Sequence, residues 1–170
     1  MANVKTGKKQ ILLFRALKDE ALADARKLVY QTEHSVDKTK ESEVIQTKDG
    51  AVNLDGSHSE EISFSANWAV EDPEATMEML EDSFDADEVV EMWEVDLDAV
   101  GTIVGTYKAR YRQGSINDFS YSAGAEDAVE VEMTYITNMQ AQKGEVTLSA
   151  AQEAAVQYAF RDTDTVVVAP

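Results

Sequence analysis

Residues 34–61 read HSVDKTKESEVIQTKDGAVNLDGSHSEE, a long polar stretch between two segments with strand character. Only 43–47, EVIQT, is mildly strand-like, and KDG ending at Gly50 and LDG ending at Gly56 are turn signals. Loops longer than about 12–15 residues without structure of their own are uncommon in compact domains and usually have a role. The stretch is therefore expected to be a long inter-strand loop, either a flexible flaw or a segment that something outside the chain orders.

On either side of this loop the pattern is mainly β. QILLFRAL (10–17) is a short apolar run, and RKLVYQTEHSV (26–36) alternates weakly. In EEISFSANWAV (60–70), Ile62, Phe64, Ala66 and Trp68 share one face by period-two alternation. A helix is expected over about 72–85, with Asp72 as N-cap and Pro73 in its first turn. Pro73, Met77, Leu80 and Phe84 form its apolar stripe. EVVEMWEVDL (88–97) places Val89, Trp93, Val95 and Leu97 on one side, a side that Glu91 shares. GTIVGTYKARYRQGSINDFSYSAG reads as a hairpin turning at Gln113–Gly114, with Tyr107, Ala109 and Tyr111 opposite Lys108, Arg110 and Arg112. AVEVEMTYITN (128–138) sets Val129, Val131, Met133 and Tyr135 against Glu130, Glu132 and Thr134, and GEVTLS is a further short strand. SAAQEAAVQ is expected to form a helical turn or two, and the last residues a strand or a tail.

Strands at short intervals with one helix predict an antiparallel β-sandwich or barrel with a flanking α-helix. The division expected is one β domain over 1–162 and a C-terminal tail over 163–170. Expected core anchors are Phe64, Trp68, Leu80, Phe84, Trp93, Tyr107 and Tyr111. Several strands are long for one small sandwich, so some edges should extend beyond the core, where they need a partner.

The 170 residues carry a formal charge of −18, unevenly placed. Residues 1–48 sum to +3, 49–107 to −17 without one Lys or Arg, and 108–170 to −4. This argues against tightly held nucleic acid, which needs clustered basic residues. A basic segment beside an acidic one suits head-to-tail contact between copies of the chain. On the helix, Glu78, Glu81, Asp82, Asp85 and Asp87 form a candidate acidic contact surface. The last three crowd the helix C-terminus, where negative charge is unfavourable.

Catalytic chemistry finds little footing. Cys is absent, so there is no thiolate nucleophile or disulfide. There is no G-x-S-x-G elbow and no glycine-rich phosphate loop. The only histidines, His34 and His58, fall in or beside the polar stretch and are expected to be exposed and idle. The acidic runs miss EF-hand spacing. Neither a catalytic residue, a metal nor a cofactor is expected. No apolar run is long enough to cross a membrane and no signal peptide is evident, so a soluble cytoplasmic product without a membrane partner is expected. Apart from an enzyme, the rival is a monomeric acidic β-sandwich binding module, of carbohydrate-binding or DNA-mimic type. Most aromatics alternate toward the expected core, which does not favour a sugar-stacking face.

In order along the chain, ILLFRA, TEHSVDKTKESEVIQTKDG, GSHSEEISFSA, the acidic helix leading into MWEVDL, YKARYRQGSINDFS, GEVTLS and YAFRD make a recognisable layout. It resembles the major tail proteins of siphophages of Gram-positive bacteria, which build a long non-contractile tail tube. The resemblance implies a structural virion protein with a β-sandwich or barrel fold and one helix. It implies stacked, six-membered rings joined edge to edge, assembled in the host cytoplasm. It also implies a tape-measure protein inside, completion or terminator and distal tail proteins at the ends, and transient passage of DNA. In that family a loop between early strands reaches the adjoining ring. Here that loop is 37–57, with Asp37, Lys38, Lys40, Glu43, Lys48, Asp49 and Asp55 as candidate contacts. An acidic bore would repel DNA, and Glu130 and Glu132 are the lumen candidates.

Overall fold

The computed structural model describes residues 4–149. The expected C-terminal helical turns, last strand and tail, and the boundary at 162, lie outside the described residues.

Among the described residues, eight strands make one antiparallel sheet: β1 (Gln10–Ala16), β2 (Arg26–Lys27), β3 (Gln31–Thr47), β4 (Gly50–Asn67), β5 (Val90–Val100), β6 (Thr106–Ser122), β7 (Glu130–Thr137) and β8 (Gln142–Thr147). The order is β2-β1-β5-β6-β7-β4-β3, with β8 also on β6. β7 and β8 lie end to end along one side of β6, their register running from Ser122↔Glu130 to Thr106↔Thr147. β5 occupies the other side of the first half of β6.

The sheet rolls onto itself. The rings of Phe14 on β1 and Phe64 on β4 have centroids 5.1 Å apart. Three strands separate β1 from β4, which in a flat sheet would place them about 19 Å apart. Likewise the buried Tyr135 hydroxyl of β7 donates to the Val90 carbonyl of β5 at 2.7 Å, across β6. Inside the roll lie Leu12, Phe14, Ile62, Phe64, Val131 and Tyr135 with their neighbours. Ile11, Leu13, Val95, Leu97, Tyr107 and Ala109 form a second apolar cluster on the opposite face of β1, β5 and β6. Both faces of β1 are therefore buried, so ILLF is a continuous apolar run rather than an alternating one.

The helix α1 (Thr76–Asp85) covers the open side of the roll with Met77 and Leu80, and Phe84 meets Phe119 of β6 at 6.2 Å. It starts three residues after the expected Pro73, because Ala75 adopts a left-handed backbone, φ 49°. Ala75 is therefore the N-cap in place of the expected Asp72, whose carboxylate still accepts from the Glu74 and Thr76 amides at 3.1 and 2.8 Å just ahead of the helix. Pro73 is exposed and takes no part in the stripe. Asp72→Ala is expected to cost about 1 kcal/mol, read as a lower urea midpoint at unchanged slope.

The core anchors Phe64 and Leu80 are buried, and Tyr107 is nearly so. Trp68 and Phe84 are partly buried against the inner cluster, and Trp93 packs on the second cluster. The Tyr111 ring meets Trp93 in a tilted contact at 5.1 Å and its hydroxyl donates to Glu91, which also pairs with Arg15 at 2.6 Å. That arrangement accounts for Glu91 on an otherwise apolar side.

Two sequence readings are corrected. No turn occurs at Gln113–Gly114: β6 runs straight through, and Gly114 pairs with Val90 and Thr137. A side chain at Gly114 would run into the Ile136 carbonyl, so the glycine serves close strand approach, not a bend. The expected loop 37–57 is a β-ribbon. β3 and β4 pair through Lys38↔Glu60, Lys40↔His58, Ser42↔Asp55 and Ile45↔Val52 to Thr47↔Gly50. KDG is its turn, with Gly50 at φ 125° and the Thr47 hydroxyl donating to the Gly50 carbonyl at 2.7 Å. LDG is no turn. Gly56 sits opposite the bulge between Lys40 and Ser42, where a Cβ would lie 2.8 Å from the Glu41 carbonyl oxygen.

Candidate functional site

Three features of the surface bear on function. The first is the ribbon. From Thr39 through Ser59 every residue is exposed, and among the described residues the two strands support only each other. A lone two-stranded ribbon is marginally stable in water. Ile45, Val52 and Leu54 keep 40–48% of their surface exposed. Pairing puts Ile45 beside Val52 and Glu43 beside Leu54, so this stripe lies on one face. Of the candidate contacts, Glu43, Lys48, Asp49 and the Lys40–Asp55 pair, 2.9 Å apart, belong to the projecting arm. Asp37 and Lys38 sit at its root instead. Asp37 lies on the outer sheet face, and the Lys38 ammonium is 3.6 Å from Glu60.

The second feature is an acidic sheet face. Strand register places Glu33, Asp37, Glu61, Asp118, Glu130 and Glu132 on the outer side of β3, β4, β7 and β6, among Ser35, Ser63, Ser65 and Ser120. No Lys or Arg occupies this face between those residues. Glu130 and Glu132 are exposed near its centre, while Val131, Met133 and Tyr135 point into the core. The third feature is the end of α1. Glu78, Asp82, Asp85 and Asp87 are exposed and Glu81 is half-buried, so the acids stay on the solvent side.

Beneath the arm lies a buried ionic cluster. Arg112 of β6, 1% exposed, donates from Nε to Glu60 Oε2 at 2.7 Å and faces Glu94 Oε2 at 3.5 Å. Arg110 donates to Glu94 Oε1 at 3.0 Å, and Glu60 Oε1 accepts from the Ala141 amide at 3.3 Å. Arg110 and Arg112 thus pair across strands, and they differ sharply in burial. His34 is not exposed as expected: its side chain is 12% accessible, 2.7 Å from Gln31 Nε2 and 3.8 Å from Glu94. Burial lowers its pKa, with Glu94 opposing and Arg112 assisting, which favours the neutral imidazole. His58 is exposed on the arm.

Burial pushes the Glu60 carboxyl up, but the Arg112 hydrogen bond, the Ala141 amide and the nearby charges outweigh it and hold the pKa below its ordinary value. A depressed acid stabilises the fold above its unfolded-state pKa, and that stability is lost as pH falls through the folded value. Unfolding free energy is therefore expected to fall below about pH 5 more steeply in the unaltered chain than in Glu60→Gln. Chemical denaturation across pH checks this.

Sequence reasoning missed Glu60, Glu94 and His34 as a group. The one available signal was Arg112 alternating with aromatics on a strand whose partners carry acids. Among the described residues, no group of three or more His, Asp or Glu is placed to hold a metal ion. No helix among them is long and apolar enough to cross a membrane. A groove of about 590 Å³, open to solvent, is lined by Lys8, Lys27, Tyr30 and Glu33 among others.

Comparison with known proteins places this architecture. A relative from Staphylococcus phage phiMR25, whose name assigns it to the tail, is 32% identical over 168 residues, covering 96% of this chain and 85% of that one. The SPP1 tail tube structure superposes with a TM-score of 0.73 at 20% identity, over 96% of this chain and 94% of that one. The tail of an empty gene transfer agent particle, refined with helical C6 symmetry, gives 0.62 at 14% identity over 82% and 98%. The family model described as phage tail tube protein matches residues 4–143, and the chain belongs to that family.

Proposed function

We propose that copies of this structural tail protein close into six-membered rings, that the rings stack, and that residues 39–59 of each copy pack on the adjoining ring. The observation that carries this is the arm, a ribbon exposed on both faces with an apolar stripe and no cover from the other described residues. The C6 symmetry of the gene transfer agent tail, which shares the fold, supports the ring number. Among the described residues, the edges of β3, of β8 and of the second half of β6 have no strand partner, which suits joining neighbours into a closed barrel. The acids of α1 suit contact with Lys40 and Lys48 of another copy's arm. A chain of this kind acts by assembly, without catalysis. Its further partners are a tape-measure protein in the bore and completion or distal tail proteins at the ends, with assembly in the host cytoplasm. Negative-stain micrographs with sedimentation across concentration test the reading. Rings and tubes are expected, and a strict monomer at all concentrations defeats it.

The acidic sheet face is the surface we assign to the bore. Phosphates passing within about 8 Å of it at physiological salt are repelled. Tubes carrying Glu130→Lys and Glu132→Lys are expected to form normally yet retain duplex DNA at low salt, where unaltered tubes do not. Equal retention in co-sedimentation would place these residues elsewhere.

A further inference from the structure

The arm leaves the sheet at one residue pair. Below Lys38↔Glu60, β4 is held on both sides, by β3 and by β7 from Glu61↔Ile136 onward. Beyond that pair no other described residue supports the ribbon. Glu60 is the first residue inside the boundary and is 3% exposed, whereas Ser59 and His58 are exposed. Its carboxylate reaches three separate parts of the roll: Arg112 of β6, Lys38 of β3, and the Ala141 amide in the link between β7 and β8.

Such a group is a poor source of stability. Burying an ion pair costs desolvation that its mutual attraction barely offsets, and apolar replacements of both partners are often neutral. This cluster is also incompletely bonded: among the described residues, Arg112 Nη1 and Nη2 and Glu94 Oε2 have no hydrogen-bond partner. What a buried ion pair does supply is a directional constraint, since its geometry tolerates little rotation. Direction matters here because the arm is a lever. Nine or so residues per strand beyond the root extend about 30 Å, so a swing of about 10° at the root moves the tip by about 5 Å.

We infer that Glu60 and Arg112 are positioning residues for assembly, their buried pairing fixing the angle at which the arm leaves the subunit. This rests on the reading of the arm as an inter-subunit contact. An arm held at the docking angle loses less conformational freedom on binding.

The test uses the full chain, whose lack of cysteine permits clean spin labelling at Asp49→Cys on the arm tip and Asp85→Cys at the end of α1. Glu60→Leu with Arg112→Leu removes the pair without stranding either charge. Glu60→Gln serves if that double variant fails to fold. The expected result is a tip-to-helix distance distribution at least about twice as broad in the free subunit, a similar unfolding midpoint, and a critical concentration for tubes raised about tenfold. A distribution as narrow as in the unaltered chain, or tubes at its concentration, overturns the inference. Replacing residues 41–57 by a tight turn separates the two readings. If that chain forms no tubes while the double variant assembles normally, the positioning inference alone fails. If the shortened chain itself builds tubes, the arm reading fails, and the inference with it.

Discussion

A chain in which Asn-Gly replaces residues 41–57 is expected to fold, stay soluble and build no tubes. The replacement joins Lys40 to His58, which are already partners across the ribbon, and Asn-Gly suits a two-residue hairpin turn. No residue of either apolar cluster is removed, since the last one before the arm is Val36 and the first after it is Ile62. The unfolding midpoint should therefore shift little. Assembly should suffer out of proportion, because the excised segment carries Ile45, Val52 and Leu54, apolar groups at 40–48% exposure on one face. Thermal unfolding by circular dichroism reports the first outcome, and negative-stain microscopy with sedimentation the second. Tubes of ordinary length from the shortened chain would show that stacking runs through the body of the subunit.

Phe64→Ala should do the opposite: it should damage the subunit itself. Phe64 is 2% exposed and meets Phe14 at 5.1 Å where the two ends of the sheet come together. Truncating it removes buried apolar surface and opens a cavity that rigid strands cannot fill, for a loss of about 3–5 kcal/mol. In a domain of this size that corresponds to an unfolding midpoint lower by roughly 10 °C. The loss should exceed that from Trp93→Ala, because Trp93 lies on the other face and keeps part of its surface in solvent. Calorimetry on the free subunits, below the assembly concentration, measures both without contributions from neighbouring copies.

The sequence alone determined much. Wherever one face of a strand is buried and the other wet, side chains must alternate, and Ile62-Phe64-Ala66 and Val131-Met133-Tyr135 announced their strands and their inward faces. The helix was legible from the stripe of Met77, Leu80 and Phe84, although Pro73 stayed outside that stripe and Ala75 with its left-handed backbone delayed the start. Charge was legible too, since the acids of 49–107 have no basic residue among them to neutralise them locally. Tertiary structure decided what depends on distant partners. A ribbon wet on both faces has little reason to alternate, so the arm carried only the weak strand signal of EVIQT (43–47) and looked like a loop until its register was seen. Gly114 looked like a turn because a glycine's cause, here the Ile136 carbonyl, lies on another strand. Glu60, Arg112, Glu94 and His34 are scattered over 34–112 and became one cluster only when the sheet rolled. Burial of a charge is a property of the whole roll, and no local pattern encodes it.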